Sequence, residues 1–333
     1  MVIGSKDRLA EFADHLCARF AVEQRGPRRI VPAGKGSVGV VWRLETGAAR
    51  YAVKEFLWGL QESEVDREVA FRDLTADAGI RSPANIPSVD GGYLVRLPPE
   101  PDGRLVRVYE WLDGTPVRAG QVPELVGEVL GRMHALEAPP VNAPDPWYST
   151  SPDEATWSAL VATASRAGAD WTGELVAALP RILDLAAVTA ELPTDTPRLL
   201  HLDLQPSNLL MVGGQLAVLD WDGTDTGSPE RELGFVLAHW HLVDGAVDAP
   251  GAARMVRGYQ DSGGEARLHG LSSFGMRIAT HLNYVLCQAE LALDTDADPA
   301  TRHTALQRTR RSLARLPSRP ELAALLHAGQ RRA

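Results

Sequence analysis

The sequence predicts an α+β protein in two parts: a small, mostly antiparallel sheet with one main helix in residues 1–110, and a larger, mostly helical part over 111–333. Three observations predict it. Short β-branched runs bounded by turn residues dominate from about 30 to 110. Helical apolar spacing takes over after Gly114, with one β-rich interruption. The charge divides at the same place: of 333 residues, 34 are Lys or Arg and 43 are Asp or Glu, a net charge of −9. Residues 1–110 hold 16 basic and 16 acidic side chains, and residues 111–333 hold 18 and 27, so the whole acidic excess lies in the second part.

The elements follow in order. Strands are read at Val38 to Leu44, Tyr51 to Phe56, Tyr93 to Leu97 and Leu105 to Leu112, the last two joined by a hairpin loop around Asp102-Gly103. Between the second and third, Glu62 to Ala76 forms a helix with Val65, Val69 and Leu74 on its apolar stripe. Leu125, Val129, Met133 and Leu136 recur at helical spacing, where Gly127 and Gly131 let a neighbouring helix approach closely. Pro139 to Pro152 reads as a loop, and Ala155 to Leu192 as one or two helices broken near Pro180. Leu199 to Leu219 carries two short apolar runs around Gly213-Gly214, a second β signal. From Leu233 the chain is helical, with loops at 244–251 and 294–300.

Composition excludes several classes. A net acidic chain lacks the basic face of a general nucleic-acid binder. The first twenty residues contain no continuous apolar stretch of the secretory kind, and no run approaches 18 apolar residues, so neither a leader nor a membrane span is expected. Cys17 and Cys287 stand far apart, in no metal spacing, and read as buried small hydrophobes of a reduced, cytoplasmic protein.

Three motifs carry chemistry. Gly34-Lys35-Gly36-Ser37-Val38-Gly39-Val40-Val41 fits G-x-G-x-x-G-x-V, whose glycines let backbone N–H groups approach an anion. Alone, it fits a glycine-rich hairpin turn equally well. Strand-like residues after Gly39, where a dinucleotide fold would place a helix, disfavour that fold. Ala52-Val53-Lys54 follows in the next run, in a chain whose only lysines are Lys6, Lys35 and Lys54. Glu68 could pair with Lys54 and hold its ammonium toward a phosphate, with Glu64 as the competing partner. The most specific motif is His201-Leu202-Asp203-Leu204-Gln205-Pro206-Ser207-Asn208, followed twelve residues later by Asp220 in Asp220-Trp221-Asp222. Phosphoryl transfer needs such a set: one carboxylate to orient and deprotonate a hydroxyl, and a carboxylate with an amide oxygen to hold Mg2+ against the phosphates.

Over nearly its full length the chain resembles the aminoglycoside phosphotransferase and choline kinase family, of bilobal protein-kinase-like fold. His201-x-Asp203-x4-Asn208 matches that family's catalytic loop, and Leu219-Asp220-Trp221-Asp222 its metal segment. Leu130 to Leu136 resembles its Leu-His helix, and Tyr109 to Gly114 its adenine-contacting linker. No Ala-Pro-Glu motif is present, which argues against a protein kinase. Where the family often carries Gly-Asp-Pro and then Asp-Leu, this chain reads Gly227-Ser228-Pro229-Glu230-Arg231-Glu232-Leu233, which puts Glu232 in the position of the loop-bracing Asp.

The resemblance implies a nucleotide-binding lobe over 1–110 and a catalytic, substrate-binding lobe over 111–333. Asp203 would orient the substrate hydroxyl and His201 fix the loop. Asn208 and Asp220 would bind Mg2+, with Asp222 either behind the metal or capping its turn. Gly34, Gly36, Ser37 and Gly39 would cover ATP or GTP, Lys54 with Glu68 would neutralise its phosphates, and backbone groups at Glu110 and Leu112 would hold the purine. The acceptor expected first is an aminoglycoside or related antibiotic, which implies antibiotic resistance; other sugars, amino alcohols or secondary metabolites follow. A cationic acceptor would be drawn by Asp153, Glu154, Asp170, Glu174, Asp244, Asp248, Glu290 and Asp294 if these face the cleft. Trp157, Trp171, Trp240 and Tyr284 either stack on the acceptor or pack in the core. His239-Trp240-His241 lacks metal spacing, and Arg302 to Arg319 reads as a solvated helix face. A catalytically silent nucleotide-binding regulator remains the reading from another class, and the chain is expected as a monomer or homodimer.

Overall fold

A computed structural model of the chain describes residues 6–36, 39–47, 49–57, 59–98 and 103–330. Ser37, Val38 and Asp102 lie outside the described residues. The chain divides into two compact units, Met1–Thr115 with Leu210–Asp222, and Pro116–Leu209 with Gly223–Ala333.

The first unit contains α1 (Lys6–Arg19), β1 (Arg28–Lys35), β2 (Gly39–Thr46), β3 (Ala49–Phe56), α2 (Glu62–Asp77), β4 (Asn85–Ile86), β5 (Val95–Arg96) and β6 (Leu105–Glu110). Its antiparallel sheet has the order β1-β2-β3-β6-β4, with β5 also on β6. Phe12, Leu16 and Cys17 of α1 pack with Ile30, Trp42, Leu44, Val53, Val106 and Val108. Neither α1 nor β1 stood out as a periodic run in the sequence. On α2, Val65 and Val69 are buried as expected, but Leu74 is 42% exposed and Phe71 is buried instead. Leu74 lies nine residues beyond Val65, which at about 100° per residue turns it to the opposite face.

The chain continues through β7 (Thr115–Pro116), α3 (Pro123–Ala135), α4 (Pro146–Ser149), α5 (Glu154–Arg166) and α6 (Thr172–Thr189). Then come β8 (Arg198–Leu200), β9 (Leu209–Val212), β10 (Gln215–Val218), β11 (Asp225–Gly227), α7 (Pro229–His241), β12 (Leu242–Val243) and β13 (Ala246–Val247). Four helices complete it: α8 (Ala249–Asp261), α9 (Gly275–Leu293), α10 (Pro299–Ala314) and α11 (Arg319–Gln330). Gly213 and Gly214 turn the β9-β10 hairpin with φ of 59° and 84°, the paired positive values that a tight two-residue turn requires.

Several expectations change. The interruption between 155 and 192 falls at Ala167 to Trp171, with Gly168 at φ 62°, and Pro180 lies inside α6. Proline there removes one N–H bond without ending the helix, whereas the left-handed glycine does end its predecessor. The loop expected over 139–152 contains α4. Cys17 is buried, but Cys287 is exposed, because it falls on the solvent side of α9. No helix among the described residues is long and apolar enough to cross a membrane.

Gly127 and Gly131 do mark a close crossing. A Cβ at Gly127 would be driven into the Met255 carbonyl oxygen, one at Gly131 into that of Tyr259, and one at Gly258 of α8 into that of Glu124. The α3–α8 backbones therefore touch where only hydrogen fits. Gly131→Val is expected to force the helices apart and lower stability by about 2–3 kcal/mol, read as an earlier urea midpoint with an unchanged slope.

Candidate active site

In the first unit, strand register brings charges together. Lys54 of β3 pairs across with Val41 of β2 on one side and Arg107 of β6 on the other. Two cations opposite each other on one face require carboxylates nearby. The Lys54 ammonium, 12% exposed, donates to Asp220 Oδ1 at 2.6 Å and also to Asp222. Burial works against its charge, but the Asp222 and Asp220 carboxylates outweigh it and hold the ammonium above the usual lysine range. Asp222 is raised by burial, with Lys54 opposing. Asp220 is 40% exposed and takes φ 56°, a left-handed backbone that short polar side chains tolerate.

Glu68 does not pair with Lys54. Its carboxylate receives both Arg107 guanidinium nitrogens, Nη2 at 3.1 Å, and Arg107 also donates to Asn85 Oδ1 at 3.1 Å. Arg107 stands beside Lys54 in the sheet, and its planar fork matches a carboxylate bidentately where an ammonium cannot. Glu64 is engaged elsewhere, accepting the Gln61 N–H at 2.8 Å to cap α2. Arg107 is 1% exposed, so Glu68→Ala is expected to leave this buried cation with only Asp222 Oδ1, at 3.9 Å, as a carboxylate neighbour and to lower stability by about 3 kcal/mol. Nucleotide Kd per folded molecule should stay within a few-fold of the parent, because the Lys54 contacts remain; a urea melt and a nucleotide titration separate the two effects.

The glycine segment lies at the β1-β2 turn, where Gly36 N–H donates to Gly39 O at 2.9 Å. A Cβ at Gly39 would run into the Glu55 carbonyl oxygen, so only glycine admits β3 this closely. Gly34 has open space, with Val41 Cβ at 4.0 Å from its would-be Cβ. The Glu110 N–H donates to Ala84 O at 2.8 Å and its carboxylate accepts the Ala84 N–H at 3.2 Å. Leu112 joins Val212 and Ala217 in an apolar cluster flanked by Leu210 and Leu219.

In the second unit, the motif between β8 and β9 folds on itself. The Asp203 carboxylate accepts from Gln205 Nε2 at 2.9 and 3.2 Å and from Asn208 Nδ2 at 2.7 Å. Asn208 Nδ2 also donates to the Asp203 carbonyl at 2.9 Å, while Asn208 Oδ1 accepts from Ser207. His201 Nδ1 accepts the Asp203 N–H at 3.2 Å, which anchors the residue from the backbone side. Leu202 takes φ 60°, an uncommon state for a branched residue.

That state is held by Glu232, 0% exposed on α7. Glu232 Oε1 accepts the Leu202 N–H at 2.6 Å, and Oε2 lies 2.7 Å from His134 Nε2. With the Nε2 proton directed at the carboxylate, His134 Nδ1 accepts the Tyr259 hydroxyl at 2.9 Å. The longer side chain of Glu thus reaches the loop that a family Asp would brace. Tyr148 of α4 reaches the same place: a Cβ at Gly223 would meet its hydroxyl at 3.0 Å, the His201 carbonyl at 3.2 Å and Asp203 Cβ at 3.6 Å. Gln205, Arg107 and Tyr148 were missed in the sequence. Arg107, an arginine inside an apolar strand run, was the one with a readable signal.

The acidic residues of the second part are mostly engaged. Asp153 caps α5 and Asp248 caps α8 while contacting His241. Asp170 and Glu174 pair with Arg310, and Asp244 pairs with Arg315. Asp294 accepts the Asp296 N–H. Trp157, Trp171 and Trp240 are buried.

A strand lysine on paired carboxylates and an Asp-to-Asn loop of five residues, in an α+β chain of this topology, define a phosphotransferase of protein-kinase-like fold. The chain belongs to the phosphotransferase enzyme family (APH), whose profile matches residues 29–271. It is accordingly a phosphotransferase. No curated protein sequence matches it significantly. Among solved structures it is similar to spectinomycin phosphotransferase APH(9)-Ia bound to ADP and spectinomycin, at TM-score 0.67 and 14% identity over 99% of both chains. It is also similar to amicoumacin kinase with AMP-PNP and Ca2+, at 0.59 and 16% over 93% of both. A microcompartment-associated aminopropanol kinase matches at 0.58 and 16%, over 91% of this chain and 95% of that one. At these identities the likeness is one of fold.

Proposed function

We propose that the protein is a Mg2+-dependent O-phosphotransferase of the cytoplasm that moves the γ-phosphate of ATP or GTP to a hydroxyl of a small molecule. An aminoglycoside or related antibiotic is the leading acceptor, which would make antibiotic resistance its role. Residues 1–110 would form the nucleotide lobe and 111–333 the catalytic and substrate lobe. The observation that carries the reading is the Asp203 carboxylate, oriented by two amide groups and anchored through its own N–H. A carboxylate so held is fixed to take a proton from a hydroxyl.

The residues suit a divalent cation. Asp220 and Asp222 already share a cation, the Lys54 ammonium, and Asn208 turns its nitrogen to Asp203 while its side-chain oxygen, which accepts from Ser207 Oγ at 3.2 Å, keeps a second lone pair for a metal. Asp220 and Asn208 would hold Mg2+, with Asp222 beside them; all are oxygen donors of the kind that ion takes. When bound, the ion would neutralise charge on the phosphate oxygens. In the transfer, the acceptor hydroxyl oxygen bonds to the γ-phosphorus as its proton passes to Asp203, and the bond to the β-phosphate oxygen breaks to release the nucleoside diphosphate. Lys54 steadies the phosphates, Gly34, Gly36, Ser37 and Gly39 cover them, and the Leu112 cluster offers an apolar floor for the base. Glu68 serves this site by fixing Arg107 beside Lys54, and His201 by fixing the loop.

The aminopropanol kinase likeness favours amino alcohols as the second acceptor class. The test is incubation with Mg2+, ATP or GTP and a panel of hydroxyl-bearing antibiotics, sugars and amino alcohols. A phosphate mass gain on one class is expected. Intact nucleotide binding with no product and no turnover would instead favour a silent regulator.

A further inference from the structure

Tyr259 of α8 stands where several features of the second unit converge. A Cβ at Gly131 would be driven into its carbonyl oxygen, and Gly258, the residue before it, admits the α3 backbone at Glu124 just as closely. The same crossing sets the Tyr259 ring edge-on to His134 of α3, with centroids 5.4 Å apart and planes at 87°. Beyond α8 the chain turns back over the ring: the Gly264 N–H donates to the Tyr259 carbonyl at 2.9 Å, and a Cβ at Gly264 would strike the ring itself. A phenylalanine would fill this space as well. What the surroundings use, and use twice, is the hydroxyl.

The Ala266 N–H donates to the hydroxyl oxygen at 3.1 Å, and that oxygen lies 2.9 Å from His134 Nδ1. An ionised carboxylate can only accept, so the 2.7 Å contact between Glu232 Oε2 and His134 Nε2 puts the ring proton on Nε2. Nδ1 of the neutral ring then accepts, and the phenol proton is its donor. Every proton in the series points toward Glu232, an arrangement in which each bond polarises the next. At the far end is the Leu202 N–H, held by Glu232 Oε1 at 2.6 Å, one residue before Asp203. Tyr259, His134, Glu232 and Leu202 are each no more than 2% exposed, so water cannot stand in for a missing member. An imidazole fastened at both nitrogens cannot turn. Fastened at Nε2 alone, it can tilt and carry its proton off the carboxylate.

We propose that Tyr259 is a positioning residue for phosphoryl transfer: its hydroxyl fixes the His134 ring, the ring fixes the Glu232 carboxylate, and the carboxylate fixes the backbone that carries Asp203. Its effect on rate rests on the phosphotransferase reading, whereas its effect on the loop does not.

Amide hydrogen exchange of the full chain reads the loop without turnover. In Tyr259→Phe, exchange at the Leu202 amide is expected to speed up at least about tenfold more than at the buried α9 residues Val285 and Ala289. A hydroxyl that only stabilised the fold would speed both alike, and that result overturns the proposal. His134→Gln offers Glu232 an amide N–H that needs no second partner. Adding Tyr259→Phe to it should therefore move Leu202 no further relative to α9. A second step as large as the first would show that the hydroxyl acts by another route, and it too overturns the proposal. On whichever acceptor gains phosphate, Tyr259→Phe is expected to lower kcat about tenfold, with the nucleotide KM within about twofold of the parent. Parent kcat beside a loosened loop overturns the role in catalysis. Phosphate gain on no acceptor would count against the phosphotransferase reading alone, because exchange at Leu202 still decides whether Tyr259 holds the loop.

Discussion

An Asp203→Asn enzyme is expected to transfer phosphate about 10³–10⁴-fold more slowly than the parent, at the upper end of what a positioned general base contributes. The change is nearly isosteric. It exchanges one carboxylate oxygen for an NH2 group, where Gln205 and Asn208 both present N–H donors. The new amide therefore loses the capacity to take the acceptor's proton and also meets a donor with a donor, which turns it out of line. Lys54, Asp220 and Asp222 are untouched, so nucleotide Kd should move only a few-fold. The loss then falls on kcat, as for a group that acts in the transition state. Single-turnover rates alongside a nucleotide titration check this, and an Asp203→Asn enzyme with near-parent kcat would refute the assignment.

Glu232→Ala is expected to produce the largest loss of stability, about 3–5 kcal/mol. The Leu202 N–H and the His134 Nε2–H both lose their acceptor at a place where neither can reach water, since Leu202 is 1% and His134 2% exposed. Each unsatisfied buried donor costs about 1–3 kcal/mol, against a total stability of about 5–15 kcal/mol. Nothing then holds Leu202 at φ 60°, one residue before Asp203, so kcat should fall in the fraction that stays folded. Glu232→Gln keeps an acceptor for Leu202 and should recover part of both losses. Denaturant midpoints and kcat on the same preparations would show the order parent, Gln, Ala.

What could be read from the sequence was what the chain keeps local. Asp203 and Asn208 stand five residues apart, so the motif was readable as one loop, although the bonds from Gln205 and Asn208 to the Asp203 carboxylate were not. The glycine crossing of α3 was equally visible, because helical period alone puts Gly127 and Gly131 on one stripe. Partner choice across strands was not. Lys54, Glu64 and Glu68 suggested an ion pair, but β3-β6 register sets Arg107 beside Lys54, and no pattern within either run announces that register. The break after α5 was hidden for another reason: Pro180 is a louder signal than Gly168, but a proline inside a long helix can be absorbed by packing, whereas a residue held at positive φ cannot continue one.

The first compact unit is assembled from two stretches of chain, Met1–Thr115 and Leu210–Asp222. Its apolar cluster joins Leu112 to Val212 and Ala217, and its Lys54 carboxylates come from Asp220 and Asp222. During synthesis the strands of the opening sheet, all within residues 28–110, emerge about a hundred residues before those partners, at about 5–20 residues per second. Until then Arg107 has Glu68 as its carboxylate, while Lys54 beside it lacks the two it will hold. A nascent chain halted before residue 222 would hold every strand of the six-stranded sheet but lack the Asp220 and Asp222 partners of Lys54 and the Val212 and Ala217 side of the Leu112 cluster.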